Sequence, residues 1–167
     1  MALLRRRRAS VDAAGQAGLE RVLADPTWEL IPLKNAREQA SALPPGATVS
    51  VTASPAKGIE ATVELAAQLQ AGGLRAIPHL SARMIRDEAH LATVLDGVAA
   101  AGITKVFVVG GDADEPGAYL DGLSLLEAMA AMARLPAQIG IPCYPQGHPD
   151  IPDNKLLEAL RARARFA

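Results

Sequence analysis

Along this chain, short runs of adjacent apolar residues alternate with longer stretches in which apolar positions recur every three or four residues. The runs at 27–32, 47–52, 75–79, 105–109 and 138–143 are brief and rich in valine or isoleucine, as strands covered on both faces are. The stretches between them read as amphipathic helices. Over 88–101, Leu91, Val94, Leu95 and Val98 fall on one helical face, with Asp87 placed to start the helix and Gly102 to end it. Leu156, Leu157 and Leu160 repeat that face on a final helix whose other side carries Arg161, Arg163 and Arg165. A lead-in helix over 10–24 stops at Asp25-Pro26, and Pro44-Pro45-Gly46, Gly72-Gly73, Pro136 and Gly140 punctuate further boundaries.

Strand centres follow one another at roughly 20 to 35 residues, the spacing of successive βα units. The pattern predicts an α/β fold with a parallel sheet. Residues 1–26 form an extension with a short helix, and residues 27–167 form the βα domain. Pattern alone leaves an open sheet and a barrel both standing.

Composition narrows the class. At 167 residues the chain is one domain long, and half of it is hydrophobic with a fifth charged, a globular balance. A net charge of −1 gives no general attraction to nucleic acid or to anionic lipid. The four arginines at 5–8 precede Ala9-Ser10-Val11-Asp12, which is no apolar signal region, so they read as a solvated basic end. No apolar run reaches the ~20 residues of a membrane-spanning helix. The single cysteine, Cys143, excludes an internal disulfide and fits a reducing cytoplasm.

Candidate chemistry gathers where the strands end. Glu29 interrupts the first apolar run, and a carboxyl group in a partly dry pocket there would have a raised pKa suited to a general acid. Thr52 ends the second run with a hydroxyl. His79 ends the third behind Pro78, and Gly110-Gly111-Asp112 ends the fourth. Tyr144-Pro145-Gln146-Gly147-His148-Pro149 follows the fifth and sets an aromatic, an amide and an imidazole in one rigid loop. Parallel α/β proteins place their chemistry at this carboxyl rim. His90, mid-helix, reads as a packing residue. The chain holds no Gly-x-Gly-x-x-Gly fingerprint. His79, Cys143 and His148 lack the paired spacing of a zinc site, so no metal is expected.

In order and spacing these segments resemble the methylenetetrahydrofolate reductase family: Glu29 in strand one, Val51-Thr52 in strand two, Pro78-His79-Leu80-Ser81-Ala82-Arg83 in strand three, Gly110-Gly111-Asp112 in strand four, and Tyr144-Pro145-x-Gly147-His148-Pro149 in strand five. The resemblance runs from Trp28 to the end of the chain. It implies an eight-stranded (β/α) TIM-type barrel, of which about five βα units lie here, with a flavin (FAD rather than FMN), NAD(P)H as co-substrate and a folate substrate. It implies Glu29 as the acid at the folate N10 and Asp112 as the pterin contact that tunes the flavin, with Gln146 also on the substrate. Thr52, His79, Gly111, Tyr119, Tyr144 and His148 take flavin-contacting positions, and Arg163 or Lys155 stands where the family meets the flavin phosphates. The chain departs from the family in having Gly110-Gly111-Asp112 for Arg-Gly-Asp and Gln146 for glutamate, both of which weaken a case for tight flavin binding. With five units of eight, the expectation is that a second copy or a C-terminal half closes the sheet. The other readings are a non-catalytic pterin- or flavin-binding half-barrel and a folate-dependent methyltransferase.

Overall fold

In the computed structural model, residues 12–167 are described, and the four arginines at 5–8 lie outside them. Helix α1 (Ala13–Ala24) starts at Asp12, whose carboxylate accepts the Gly15 N–H at 2.7 Å. Then strands and helices alternate: β1 (Thr27–Leu30), α2 (Ala36–Ser41), β2 (Thr48–Val51), α3 (Gly58–Ala71), β3 (Arg75–Ser81), α4 (Glu88–Ala100), β4 (Lys105–Val109), α5 (Gly122–Ala131), β5 (Gln138–Gly140) and α6 (Asp153–Arg163).

The expected start of α4 is seen in detail, with the Asp87 carboxylate accepting the His90 N–H at 2.7 Å. The chain leaves that helix at Gly102, and the Ile103 N–H returns to the Val98 carbonyl. Asp121 and Ser124 satisfy each other's backbone groups at the start of α5 in a reciprocal capping box.

All five strands are parallel and lie in sequence order. Consecutive parallel neighbours need crossovers that all turn in the same hand, which puts every connecting helix on one face. Burial agrees. Val49, Val51, Leu80, Val106 and Val108 share one face by register and are fully buried. They form a single core with Ile59 and Leu65 of α3, Leu91 and Leu95 of α4, and Leu125, Leu126 and Met129 of α5. Each such side chain contributes about 1.5–3 kcal/mol by leaving water.

The opposite face carries Glu29, Ser50, Ile77, His79, Phe107 and Gly140, none of which belongs to that core. No helix of the described residues covers it. The expectation that each strand is buried on both faces holds for β2 and for most of β3 and is corrected towards the edges of the sheet. It fails most clearly at β1, where Thr27, Trp28 and Glu29 are all exposed.

Strand limits also differ from the apolar runs. β1 stops at Leu30 and β5 at Gly140, short of the expected 32 and 143, because each is an edge with one partner. After β5, Pro142 has no N–H to extend a ladder. β3 runs two residues beyond His79. Its first half, Arg75–Pro78, pairs with β2, while His79–Ser81 pairs with β4. Pro78, which has no N–H to give, sits where the partner changes.

Candidate functional site

The carboxyl ends of β4 and β5, the start of α5 and the inner side of α6 border a half-open cavity of about 840 Å³. Gly111, Asp112, Tyr144 and His148 all line it, as do both cationic candidates, Lys155 and Arg163.

The turn after β4 is shaped by close approach. Gly111 has φ +86°, and a Cβ there would lie 1.8 Å from the Ser81 hydroxyl oxygen. Glycine is required on both counts. Ser81 is buried and donates to the Gly110 carbonyl at 3.5 Å. Arg83 then fixes the rest of the loop, with its Nε donating to the Ala113 carbonyl at 2.7 Å and an Nη to that of Asp114 at 3.1 Å. The Gly117 N–H returns to the Arg83 carbonyl. Asp112 is thereby held at the cavity mouth, exposed to solvent.

On the far wall, the Tyr144 and His148 rings meet edge to face with centroids 5.3 Å apart. The His148 Nδ1 accepts the Asp150 N–H at 3.1 Å, so the neutral ring carries its proton on Nε2 and is a donor there.

Arg163 and Lys155 behave differently. Lys155 is exposed and paired with Glu158 at 2.9 Å, each drawing the other's pKa toward the charged form, upward for the lysine and downward for the glutamate. Arg163 is only 8% exposed. Among the described residues its guanidinium finds one partner, Nε donating to the Ala159 carbonyl at 2.9 Å. Its Nη1 lies beside Gly122 at the start of α5, 3.6 Å from where a Cβ would be. A buried cation with free N–H groups next to a helix N-terminus is the chemistry that receives an anion.

The other expected residues lie elsewhere. His79 stands on the uncovered face, half-buried, its ring tilted against Phe107 with centroids 4.9 Å apart. Phe107 in turn lies over Gly140, where a Cβ would be 2.6 Å from the ring. Burial lowers the His79 pKa, and the negative charge of Glu29 partly opposes that shift. Glu29 shares this face but is exposed, so the described residues give it no dry pocket. Thr52 follows β2 with its N–H on the Leu30 carbonyl, and its Oγ1 is buried with no partner among the described residues. Tyr119 packs behind the loop against the core, its pKa raised by burial and then by the charges of Glu88 and Asp87. Gln146 opens with Cys143 onto a neighbouring groove outside the cavity. The expected residues thus divide into a cavity group and an open-face group.

His90 takes a structural part, as expected of a packing residue. Its ring accepts the Arg86 N–H and bonds Glu60 at 2.9 Å, tying α4 to α3. Sequence reasoning missed Ser81, Arg83 and Phe107 as shapers of the site. Ser81 and Arg83 had a local cue, both lying in the segment that follows Pro78-His79.

Among the described residues no cluster of histidine, cysteine and carboxylate side chains could hold a metal ion, and no helix is long and apolar enough to cross a membrane. No family model matches the chain.

Proposed function

We propose that this chain is part of an α/β barrel oxidoreductase of one-carbon metabolism, reducing 5,10-methylenetetrahydrofolate to 5-methyltetrahydrofolate at the expense of NAD(P)H. The observation that carries the reading is the cavity group: Gly111, Asp112, Tyr144, His148 and buried Arg163 converge on one space at the carboxyl ends of β4 and β5. Consecutive strand order with helices on one face supports a (β/α) barrel of TIM type, and such barrels act at this rim.

The residues present fit a flavin. Arg163 and the start of α5 would hold its phosphates, the Nε2–H of His148 would bond a polar edge, and the Gly110-Gly111 turn admits a close approach. Bound there, a flavin supplies hydride transfer. The chain's own residues supply the rest. Asp112, fixed by the Arg83-braced loop, orients the pterin from the cavity mouth. Glu29 donates a proton to the departing folate nitrogen once its face is covered. His79, neutral at physiological pH because burial lowers its pKa, lines that face without adding a competing cation.

The exposure of Glu29 supports a second reading, in which the 167-residue chain alone binds pterin or flavin without turnover. Two measurements separate them. A purified protein with a flavin spectrum that oxidises NAD(P)H in a folate-dependent way supports the reductase. Glu29→Gln should then abolish folate reduction and spare NAD(P)H oxidation by the flavin; survival of both would remove Glu29 as the acid. Flavin binding without folate turnover at any protein concentration would favour the binding reading.

A further inference from the structure

A guanidinium withdrawn from water needs an anion or a full set of acceptors, because burying an unpaired charge is costly. Arg163 has neither among the described residues. At 8% exposure it donates through Nε to the Ala159 carbonyl, and that neutral oxygen of its own helix is its one partner. Both Nη groups are left over, on the wall of the cavity that the ends of β4 and β5 border.

The start of α5 supplies donors beside it. Nη1 comes within 3.6 Å of the point that a Gly122 Cβ would occupy. The capping box takes up the Ser124 N–H, which the Asp121 carboxylate accepts at 2.9 Å. The N–H groups of Gly122 and Leu123 keep no partner among the described residues, and both residues line the cavity. An arginine fork and two backbone N–H groups thus lie side by side, at the end of a 10-residue helix whose dipole favours negative charge.

Surrounding charges limit what anion fits. Lys155 is engaged with Glu158 at 2.9 Å. The other charged groups of the wall, Asp112 and Asp121, are carboxylates. A diphosphate would set its second phosphate against those carboxylates, or against the apolar stretch of Pro142, Ile151 and Leu156. Among the described residues no second unpaired cation lines the cavity to receive it. A phosphomonoester instead gathers a charge of about −1.5 to −2 and three terminal oxygens on a single phosphorus. A planar fork with adjacent N–H groups receives such a group whole.

We propose that the cavity holds its ligand by one phosphomonoester, seated between the Arg163 fork and the N–H groups of Gly122 and Leu123. Such a site rests on the cavity reading given above and narrows it, pointing away from the dinucleotide FAD that the family resemblance implies. Two molecules within that reading carry the group: FMN at the end of its ribityl chain, and NADPH on its adenosine ribose. Riboflavin and NADH lack it, and FAD buries its phosphates in a diester linkage.

Inorganic phosphate is the first probe, so the outcome does not depend on flavin binding. In proton–nitrogen correlation spectra of the 167-residue chain, phosphate should shift the Gly122 and Leu123 amides saturably. Arg163→Gln should weaken that binding about ten-fold or more. Should this variant fail to fold, Gly122→Pro decides the matter. Proline suits the first position of a helix, and Asp121 before it is already extended, at φ −150° and ψ 172°. The helix therefore persists with one donor removed, and phosphate affinity should fall about five-fold. Competition against bound phosphate then identifies the source. FMN should displace it about ten-fold more readily than riboflavin or FAD, or NADPH more readily than NADH by the same factor. Amides unmoved by phosphate would overturn the proposal, as would binding indifferent to both variants. So would FAD and NADH displacing phosphate as readily as the two monoesters. Saturable phosphate binding with no flavin bound in any form would uphold the phosphate site and remove the flavin from the function proposed above.

Discussion

Gly111 shows how much of the site depends on one missing methyl group. Replacing it by alanine sets a Cβ against the Ser81 hydroxyl oxygen and forces a left-handed backbone on an L side chain. Gly111→Ala should cost about 2 kcal/mol or more in urea unfolding. Adding Ser81→Gly should recover the contact part and leave the backbone part, and full recovery would disprove the strain argument. His79 offers a second test at this scale. Its folded pKa lies below that of the unfolded chain, so the unfolded state binds the proton more readily. The stability it contributes is present above the unfolded value of about 6.5 and is lost as pH falls through and below it. Because Glu29 opposes the shift, Glu29→Gln should push the His79 titration still lower, read from its ring protons by NMR. An unmoved titration would mean that the two groups do not feel each other.

Elements differ in how far local sequence determines them. β4 was legible to the residue, since five apolar-rich positions enclosed by two partner strands leave no competing arrangement. α4 was equally clear, its cap and its exit both written in single residues. The edges were not, because β1 and β5 stop where a second neighbour is lacking, which no local pattern records. Candidate residues at strand ends were found by the same logic. Their division into two groups was not, because which face a strand residue takes depends on register with neighbours distant in sequence. The α3–α4 clasp makes a testable element. His90→Leu leaves the Arg86 N–H without its acceptor and frees Glu60, and should cost about 1–3 kcal/mol with little effect on ligand binding. Asp121→Ala removes the cap of α5 and should cost about 1 kcal/mol in the same assay. It should also loosen Arg163, whose Nη1 lies beside Gly122 at that helix start. If anion affinity is unchanged in the alanine variant, the start of α5 does not organise the cavity.

At the scale of the whole molecule, one layer is finished and one is not. Helices seal one side of the sheet, while the other presents an acid, an imidazole and an aromatic ring to solvent. Trp28, the sole tryptophan, stands on that boundary at 43% exposure and reports on it directly. Acrylamide should quench its fluorescence readily, as a part-exposed indole requires. Strong protection from quenching in the native chain would mean that β1 is covered after all.

One strand serving two ladders has a consequence for how the protein breathes. Since β3 gives its first half to β2 and its second to β4, neither outer pair needs the other in order to stay bonded. Native-state hydrogen exchange should therefore resolve two cooperative openings, one holding the amides of Thr48–Val51 and the other those of Lys105–Val109. Pro78 marks the seam between them. A ligand seated at the ends of β4 and β5 would slow exchange in the second group and leave the first near its free rate, so the protein carries within its backbone a gauge of which half has been occupied.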